Sequence, residues 1–130
     1  MSSIFTKIIA GEIPCYKIAE DENYFAFLDI NPNARGHTLC IPKQEVDKIM
    51  DLEEDIYIGL MAFCRKVGQA IEAAIPCERV GMSVIGLEVP HVHVHMIPLE
   101  GMHNATFQHK VSLTQEEFEE TAAAIRAALK

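Results

Sequence analysis

The stretch Val89-Pro90-His91-Val92-His93-Val94-His95-Met96-Ile97-Pro98 sets a histidine at every second position, with Val92, Val94 and Met96 around them. A period of two with β-branched partners is the pattern of a β-strand. On a strand the three imidazoles share one face, each roughly 6.6 Å beyond the last, and the apolar side chains between them turn into a core. Pro90 and Pro98 bracket the run, which suits strand ends, where a missing backbone donor costs little.

Three aligned imidazoles have three readings. A solvated strand face is one, although half of the chain's six histidines fall within these five residues. A metal site is another, since His-x-His supplies two ligands. A third ligand there would have to bridge about 13 Å of strand between His91 and His95. The remaining reading is nucleophilic or acid–base work near neutral pH, for which a neutral imidazole beside charged or donating neighbours is suited. The last is preferred.

Two further regions accompany the row. Ile8-Ile9-Ala10-Gly11-Glu12-Ile13-Pro14 lies near the start, and Phe25-Ala26-Phe27-Leu28-Asp29-Ile30-Asn31-Pro32 with Gly36-His37-Thr38-Leu39-Cys40-Ile41-Pro42-Lys43 lies centrally. In this order, with His91-x-His93-x-His95 behind them, they resemble the histidine triad (HIT) nucleotide-binding proteins over roughly residues 4–98. Short turns between neighbouring strands imply a mostly antiparallel sheet with packed helices, an α+β domain. The resemblance implies five strands, one long packed helix, a short N-terminal helix and a C-terminal helix, in a homodimer whose sheets join.

Size and charge narrow the function classes. The 130 residues are read as one domain, 1–130, large enough for a real core. A net charge of -8 argues against an extended nucleic-acid surface, which needs a basic face. A small nucleotide in a local pocket is compatible with that field, and a long polyanion is not. There is no signal-peptide pattern at the start and no apolar run of membrane-spanning length, so neither a membrane nor a nucleic acid is expected as partner. Cys15, Cys40, Cys64 and Cys77 are scattered and read as free thiols in a reducing, cytoplasmic setting.

Along the chain, Ile4, Phe5, Ile8 and Ile9 have helical spacing, with Gly11 as the stop. Residues 15–20 and 23–30 read as a hairpin about Asp21-Glu22, and a strand runs from His37 to Ile41. Asp51-Leu52-Glu53-Glu54 has capping-box character before a helix with the stripe Leu60, Phe63, Cys64, Val67, Ile71, Ala74 and Ile75, ended by Pro76. Arg79–Ile85 reads as a strand, 100–111 as a loop whose His103 and His109 are surface histidines, and Thr114–Glu117 as a second capping box. Phe118, Ala122, Ile125 and Leu129 then form one face of the final helix.

The resemblance implies roles for particular residues. Phe5, Ile8 and Ile13, with Phe27 and Ile30 of the central block, would meet the base, and packing in the core is the alternative for each. Asp29 would accept hydrogen bonds from both ribose hydroxyls, and a turn-forming aspartate is its alternative. His37 resembles the family's fourth active-site histidine. Glu88 stands where some relatives protonate the leaving group. Some relatives are thought to hold zinc through an N-terminal Cys-x-x-Cys; Ser3 and Thr6 occupy those places here, so structural zinc is not expected. Glu45 replaces a further histidine, Leu87 the usual phosphate-contacting glutamine, and Leu99 an arginine, while the loop before Glu88 is shortened.

The chemistry so implied is metal- and cofactor-independent nucleotidyl transfer to water. Neutral His93 attacks the α-phosphorus of a nucleotide, with a purine expected, and a nucleotidyl-histidine forms and is hydrolysed. His95, if protonated, places charge against the phosphate oxygens, and His91 with His37 orients or buffers the row. A nucleoside phosphoramidate is the expected substrate type; a dinucleoside polyphosphate hydrolase and a nucleotide-binding module with little turnover are the alternatives.

Overall fold

Tyr24-Phe25-Ala26-Phe27-Leu28 is apolar at every position, and all five residues are buried. A strand can do this only when both of its faces are covered. The computed structural model, which describes residues 2–130, shows how. Tyr24, Ala26 and Leu28 enter the main core, whereas Phe25 and Phe27 enter a second, smaller one.

The elements run α1 (Ile4–Ile9), β1 (Lys17–Glu20), β2 (Tyr24–Leu28), β3 (Thr38–Pro42), α2 (Glu54–Ala74), β4 (Arg79–Ser83), β5 (Val94–Leu99) and α3 (Gln115–Ala128), with 3-10 turns at Ile49–Asp51 and Met102–Ala105. The five strands form one sheet in the order β1-β2-β3-β5-β4. Every pairing is antiparallel. The chain is therefore the α+β domain expected, with the long helix and the C-terminal helix on one face and the short N-terminal helix on the other.

Helix α2 buries Leu60, Phe63, Cys64, Val67 and Ile71 against Ala26, Cys40, Val94 and Met96 of the sheet. It approaches β5 closely at Gly68, where an added Cβ would lie 2.9 Å from Met96 Cε. The helix stops at Ala74 because Ile75 precedes Pro76 and is pushed into extended backbone. The capping box of α3 forms as read: Thr114 accepts from the Glu117 amide, and Glu117 accepts from the Thr114 amide. Arg126, in its last turn, donates to the Lys17 carbonyl. Gly11 closes α1 with φ +82°, a value natural to glycine.

Several boundaries differ from the sequence reading. Asp51 ends a 3-10 turn, and α2 starts after Glu53, which makes no side-chain cap, so the first capping box does not form. Strand β4 stops at Ser83, opposite His95, two residues short of Ile85. Only the second half of the histidine stretch is in the ladder: β5 begins at Val94, and His91 and His93 precede it. Pro98 lies inside β5 opposite Val80, at a point where pairing with β3 has already ended at Met96. The missing donor is tolerated there because one neighbour strand is gone.

All four cysteines are free, with Cys40 and Cys64 buried. Among the described residues no helix is long and apolar enough to cross a membrane.

Candidate active site

The alternation at the end of the chain's decisive stretch places Val92, Val94 and Met96 in the main core. The histidines consequently turn to the sheet face that carries α1. In register, Leu39 stands beside His95 on β5 and beside Phe27 on β2, which puts the third histidine over the second core. Phe5 of α1 packs edge-on against His91 and His93, with ring centroids 5.7 and 5.0 Å away. His93 and His95 are 5.1 Å apart by the same measure, so all three rings gather on one side although only one lies in the ladder.

The hydrogen bonds fix where each proton sits. His91 Nε2 donates to the Pro42 carbonyl at 2.8 Å, leaving Nδ1 to accept from the Ser3 hydroxyl at 2.7 Å. His93 Nδ1 donates to the His91 carbonyl at 2.7 Å, so its Nε2 carries a lone pair. The Asn33 amide donates to His37 Nδ1 at 2.9 Å; the proton of His37 is thus on Nε2, which donates to His95 Nδ1 at 2.9 Å. His95 is left with an N–H on Nε2. One row therefore holds an acceptor at His93 and a donor at His95.

Charge follows burial. Desolvation, with the His95 ring and the Lys110 charge adding to it, pushes His37 down to about 3. The same cause, with His93 and Lys110 adding, pushes His95 down to about 4. His91 is also lowered, chiefly by burial, against the opposing pull of the Pro42 carbonyl and the Glu45 carboxylate. These three imidazoles are neutral near pH 7, so His95 does not carry the charge expected for it against a phosphate and offers an N–H dipole instead. Burial raises the Asp29 carboxyl, opposed by the Asn31 amide.

A cavity of about 640 Å³ opens over the row. His93, His95, Asp29, Phe5 and Glu88 line it, together with Leu39. That volume is in the range of small-molecule sites. Asp29 forms the turn weighed for it, Oδ1 accepting from the Asn31 backbone amide at 2.8 Å, and it also lines the cavity, with Oδ2 3.6 Å from His37 Nε2. His37 is fully closed to solvent and stands behind two cavity-lining residues, His95 and Asp29. The turn before it depends on Gly36, with φ +99° and the Ile75 and Pro98 side chains against it.

The base-contacting set is not brought together as a wall. Phe5 reaches the cavity, but Ile8 and Phe27 are 8% and 4% exposed and lie in the second core behind it, with Ile13 packed at its edge. Ile30 is 74% exposed and off the cavity lining. The strand period explains Phe27: it shares a sheet face with Leu39, which stands between it and the cavity. Ile4 lines the cavity instead, a residue the sequence offers only as one more apolar position of α1.

Residues of the 100–111 loop were invisible to sequence reasoning. Phe107 packs edge-on to His95 at 4.8 Å, and Lys110 stands at the same cavity wall. The backbone of Phe107 has φ +62°, unusual for an aromatic residue. No local pattern announces such a residue.

Two groups of side chains invite a metal reading. Asp29, His37 and His95 each offer a ligand atom within 4.8 Å of the others. The His37 Nε2 proton, however, already bridges toward His95. At the places linked with zinc in some relatives, Ser3 and Thr6 meet Glu45 and His91. Glu45 Oε1 accepts from the Ser3 amide at 2.7 Å and from the Thr6 hydroxyl at 2.6 Å. Structural zinc takes thiolates and imidazoles, so these two hydroxyls do not fit it. Hydrogen bonds join the four residues instead.

Comparison with known proteins agrees with this fold. The family described as HIT domain matches residues 10–102. The chain is 40% identical over 100 residues to the adenosine 5′-monophosphoramidase of Schizosaccharomyces pombe, covering 75% of this chain and 74% of that one. It resembles the crystal structure of a Hit-like protein of Bartonella henselae with an unknown ligand, at TM-score 0.85 and 32% identity over 98% of this chain and 97% of that one. A zinc-bound histidine triad family protein of Mycobacterium smegmatis is similar at TM-score 0.83 and 28% identity, over 98% and 93% of the two chains.

Proposed function

The chain belongs to the HIT domain family, and from that premise we propose that it hydrolyses nucleotide derivatives at the α-phosphate through a nucleotidyl-histidine. The observation that carries this reading is the tautomer of His93. Its Nδ1 proton is taken up by the His91 carbonyl, so the Nε2 lone pair is the one left for the cavity. A nucleophile beside a neutral N–H donor suits attack on a phosphorus whose oxygens need hydrogen bonds.

In the first step the His93 Nε2–phosphorus bond forms and the bond to the leaving group breaks. For a phosphoramidate the departing amine takes a proton from the Glu88 carboxyl; that Glu88 lines the cavity supports this role. In the second step water attacks the phosphorus and gives its proton to the Glu88 carboxylate, the bond to Nε2 breaks and nucleoside monophosphate leaves. His95 Nε2–H stabilises the phosphoryl oxygens in both steps. Asp29 holds the ribose hydroxyls, Phe5 meets the base, with a purine expected, and Ile8, Ile13 and Phe27 back that wall. No step calls for a metal or another cofactor.

The Schizosaccharomyces pombe relative named adenosine 5′-monophosphoramidase supports a phosphoramidate as substrate. A homodimer is part of the reading. Strand β4 lies at the sheet edge with Met82, Ile85 and Leu87 exposed near it, a free edge that a second copy can cover. Leu87, 89% exposed, brings no hydrogen bond to the cavity, which favours a binding protein with slow turnover as the second reading.

The test is hydrolysis of adenosine 5′-phosphoramidate and diadenosine polyphosphates, with a chelator present, by the native chain and by His93→Ala. Turnover that disappears in His93→Ala is expected, with the phosphoramidate the better substrate. Binding of monophosphate without any turnover overturns the hydrolase in favour of the binding protein, and activity lost to the chelator overturns the metal-free step.

A further inference from the structure

The cavity has an electrostatic problem. The chain carries a net charge of -8, and Asp29 and Glu88 add two carboxylates to the cavity wall. His95 and His37 supply no cation near neutral pH, since burial holds them at about 4 and about 3. Among the residues lining the cavity, Lys110 is the single lysine or arginine.

The position of Lys110 is built. Its Nζ donates to the Asn33 Oδ1 at 2.8 Å and to the Asn31 carbonyl at 3.1 Å. It also stands 5.0 Å above the Phe107 ring. Asn33, 1% exposed, donates from Nδ2 to the Asn104 carbonyl and from its backbone to His37 Nδ1. The Val111 amide donates to the Pro32 carbonyl. The 104–111 loop is thus stapled to the turn that supports His37, and the strained φ of Phe107 is held by its packing on His95. An ammonium has three donors, and two are used within the chain.

We propose that Lys110 is the residue that recognises the anionic phosphate of the nucleotide, its remaining N–H directed to a non-bridging oxygen. This rests on the nucleotide reading above and adds a contact to it. The loop takes over the phosphate contact for which Leu87, with its apolar side chain, has no donor. It also makes discrimination between a nucleotide and a nucleoside depend on one fixed positive charge in an acidic protein.

The experiment measures binding of adenosine 5′-monophosphate and of adenosine, at low and high salt, to the native chain, Lys110→Gln and Lys110→Arg. Gln keeps an N–H for Asn31 and Asn33 without the charge, and Arg keeps the charge. Thermal melting of each variant shows that it is folded. Lys110→Gln is expected to bind the monophosphate about tenfold more weakly, as loss of a charge-assisted bond predicts, with adenosine unchanged and the salt dependence reduced. Lys110→Arg should restore most of the preference. If the native chain prefers monophosphate and Lys110→Gln keeps that preference, Lys110 is only a loop staple and the inference fails alone. If the native chain binds neither, or both equally, the nucleotide reading falls and this inference with it.

Discussion

The two ends of the histidine row are held in different ways. At the His95 end the support is buried and comes largely from one short segment: His37 and Asn33 are 0% and 1% exposed and sit four residues apart. At the His91 end the support is assembled from far along the chain. Ser3 reaches His91 across 88 positions, and Glu45, itself at the surface, ties Ser3 and Thr6 together. Both ends do one thing, fixing the tautomer of an outer histidine, and His93 stands between them. The Ser3–His91 bond is itself buried, as His91 is, and it is Glu45 behind it that water can replace; behind His95 no partner is open to water.

The sharpest way to break this comparison is at His37. In His37→Ala the Asn33 amide loses its acceptor in a buried place, at roughly 1–3 kcal/mol, and His95 Nδ1 loses its donor. His95 can then carry its proton on the wrong nitrogen. A wrongly held tautomer lowers kcat by about 10⁴ in a serine protease triad. Here His95 is a donor rather than the base, so a loss of about a hundredfold in kcat is expected, with melting temperature lowered. Equal kcat in the variant and native chains would show that the buried pair does not set the tautomer.

This contrast also marks what could be read from the sequence. The period of Val92, Val94 and Met96 gave the inward face of the histidine stretch, and Thr114 with Glu117 gave the start of α3 because a capping box is local. Strand ends were misplaced where they depend on the neighbour strand: Ile85 lies beyond β4, and Pro98 is inside β5, for reasons of register that no single stretch contains. In the candidate site, His37 and the triad were legible as blocks. Asn33 was one more turn residue, and Phe107 and Lys110 were loop residues, until the fold brought 104–111 against 31–37. The hydroxyl cluster of Ser3 and Thr6 was legible only as a place where cysteines are absent.

A second prediction concerns acid. The folded chain holds His37 and His95 at about 3 and 4, below the ordinary histidine value of 6.5. Between these values the unfolded chain binds more protons, so the stability contributed by these two groups is complete above about pH 6.5 and is lost as pH falls toward 4 and 3. The raised carboxyl of Asp29 acts in the opposite sense. The urea midpoint should therefore fall from pH 7 to pH 5, and fall less steeply in His95→Gln, which removes one of the two groups and leaves Asp29 in place. A slope unchanged by the substitution would mean that the acid sensitivity lies elsewhere.

The smallest effect is expected at the His91 end. Ser3 Oγ has two duties: it donates to His91 Nδ1 and accepts from the Thr6 amide as the N-cap of α1. Ser3→Ala removes both, and a lost cap of this kind costs about 1 kcal/mol. His91 keeps its bond from Nε2 to the Pro42 carbonyl, so its tautomer is unchanged, and Phe5 still leans on His91 and His93. Turnover should therefore drop only a fewfold, and Ser3→Thr, which keeps the hydroxyl, should recover it. A loss in Ser3→Ala as large as that in His37→Ala would mean that the His93 lone pair depends on both ends alike, and that the Pro42 carbonyl alone does not hold His91 in place.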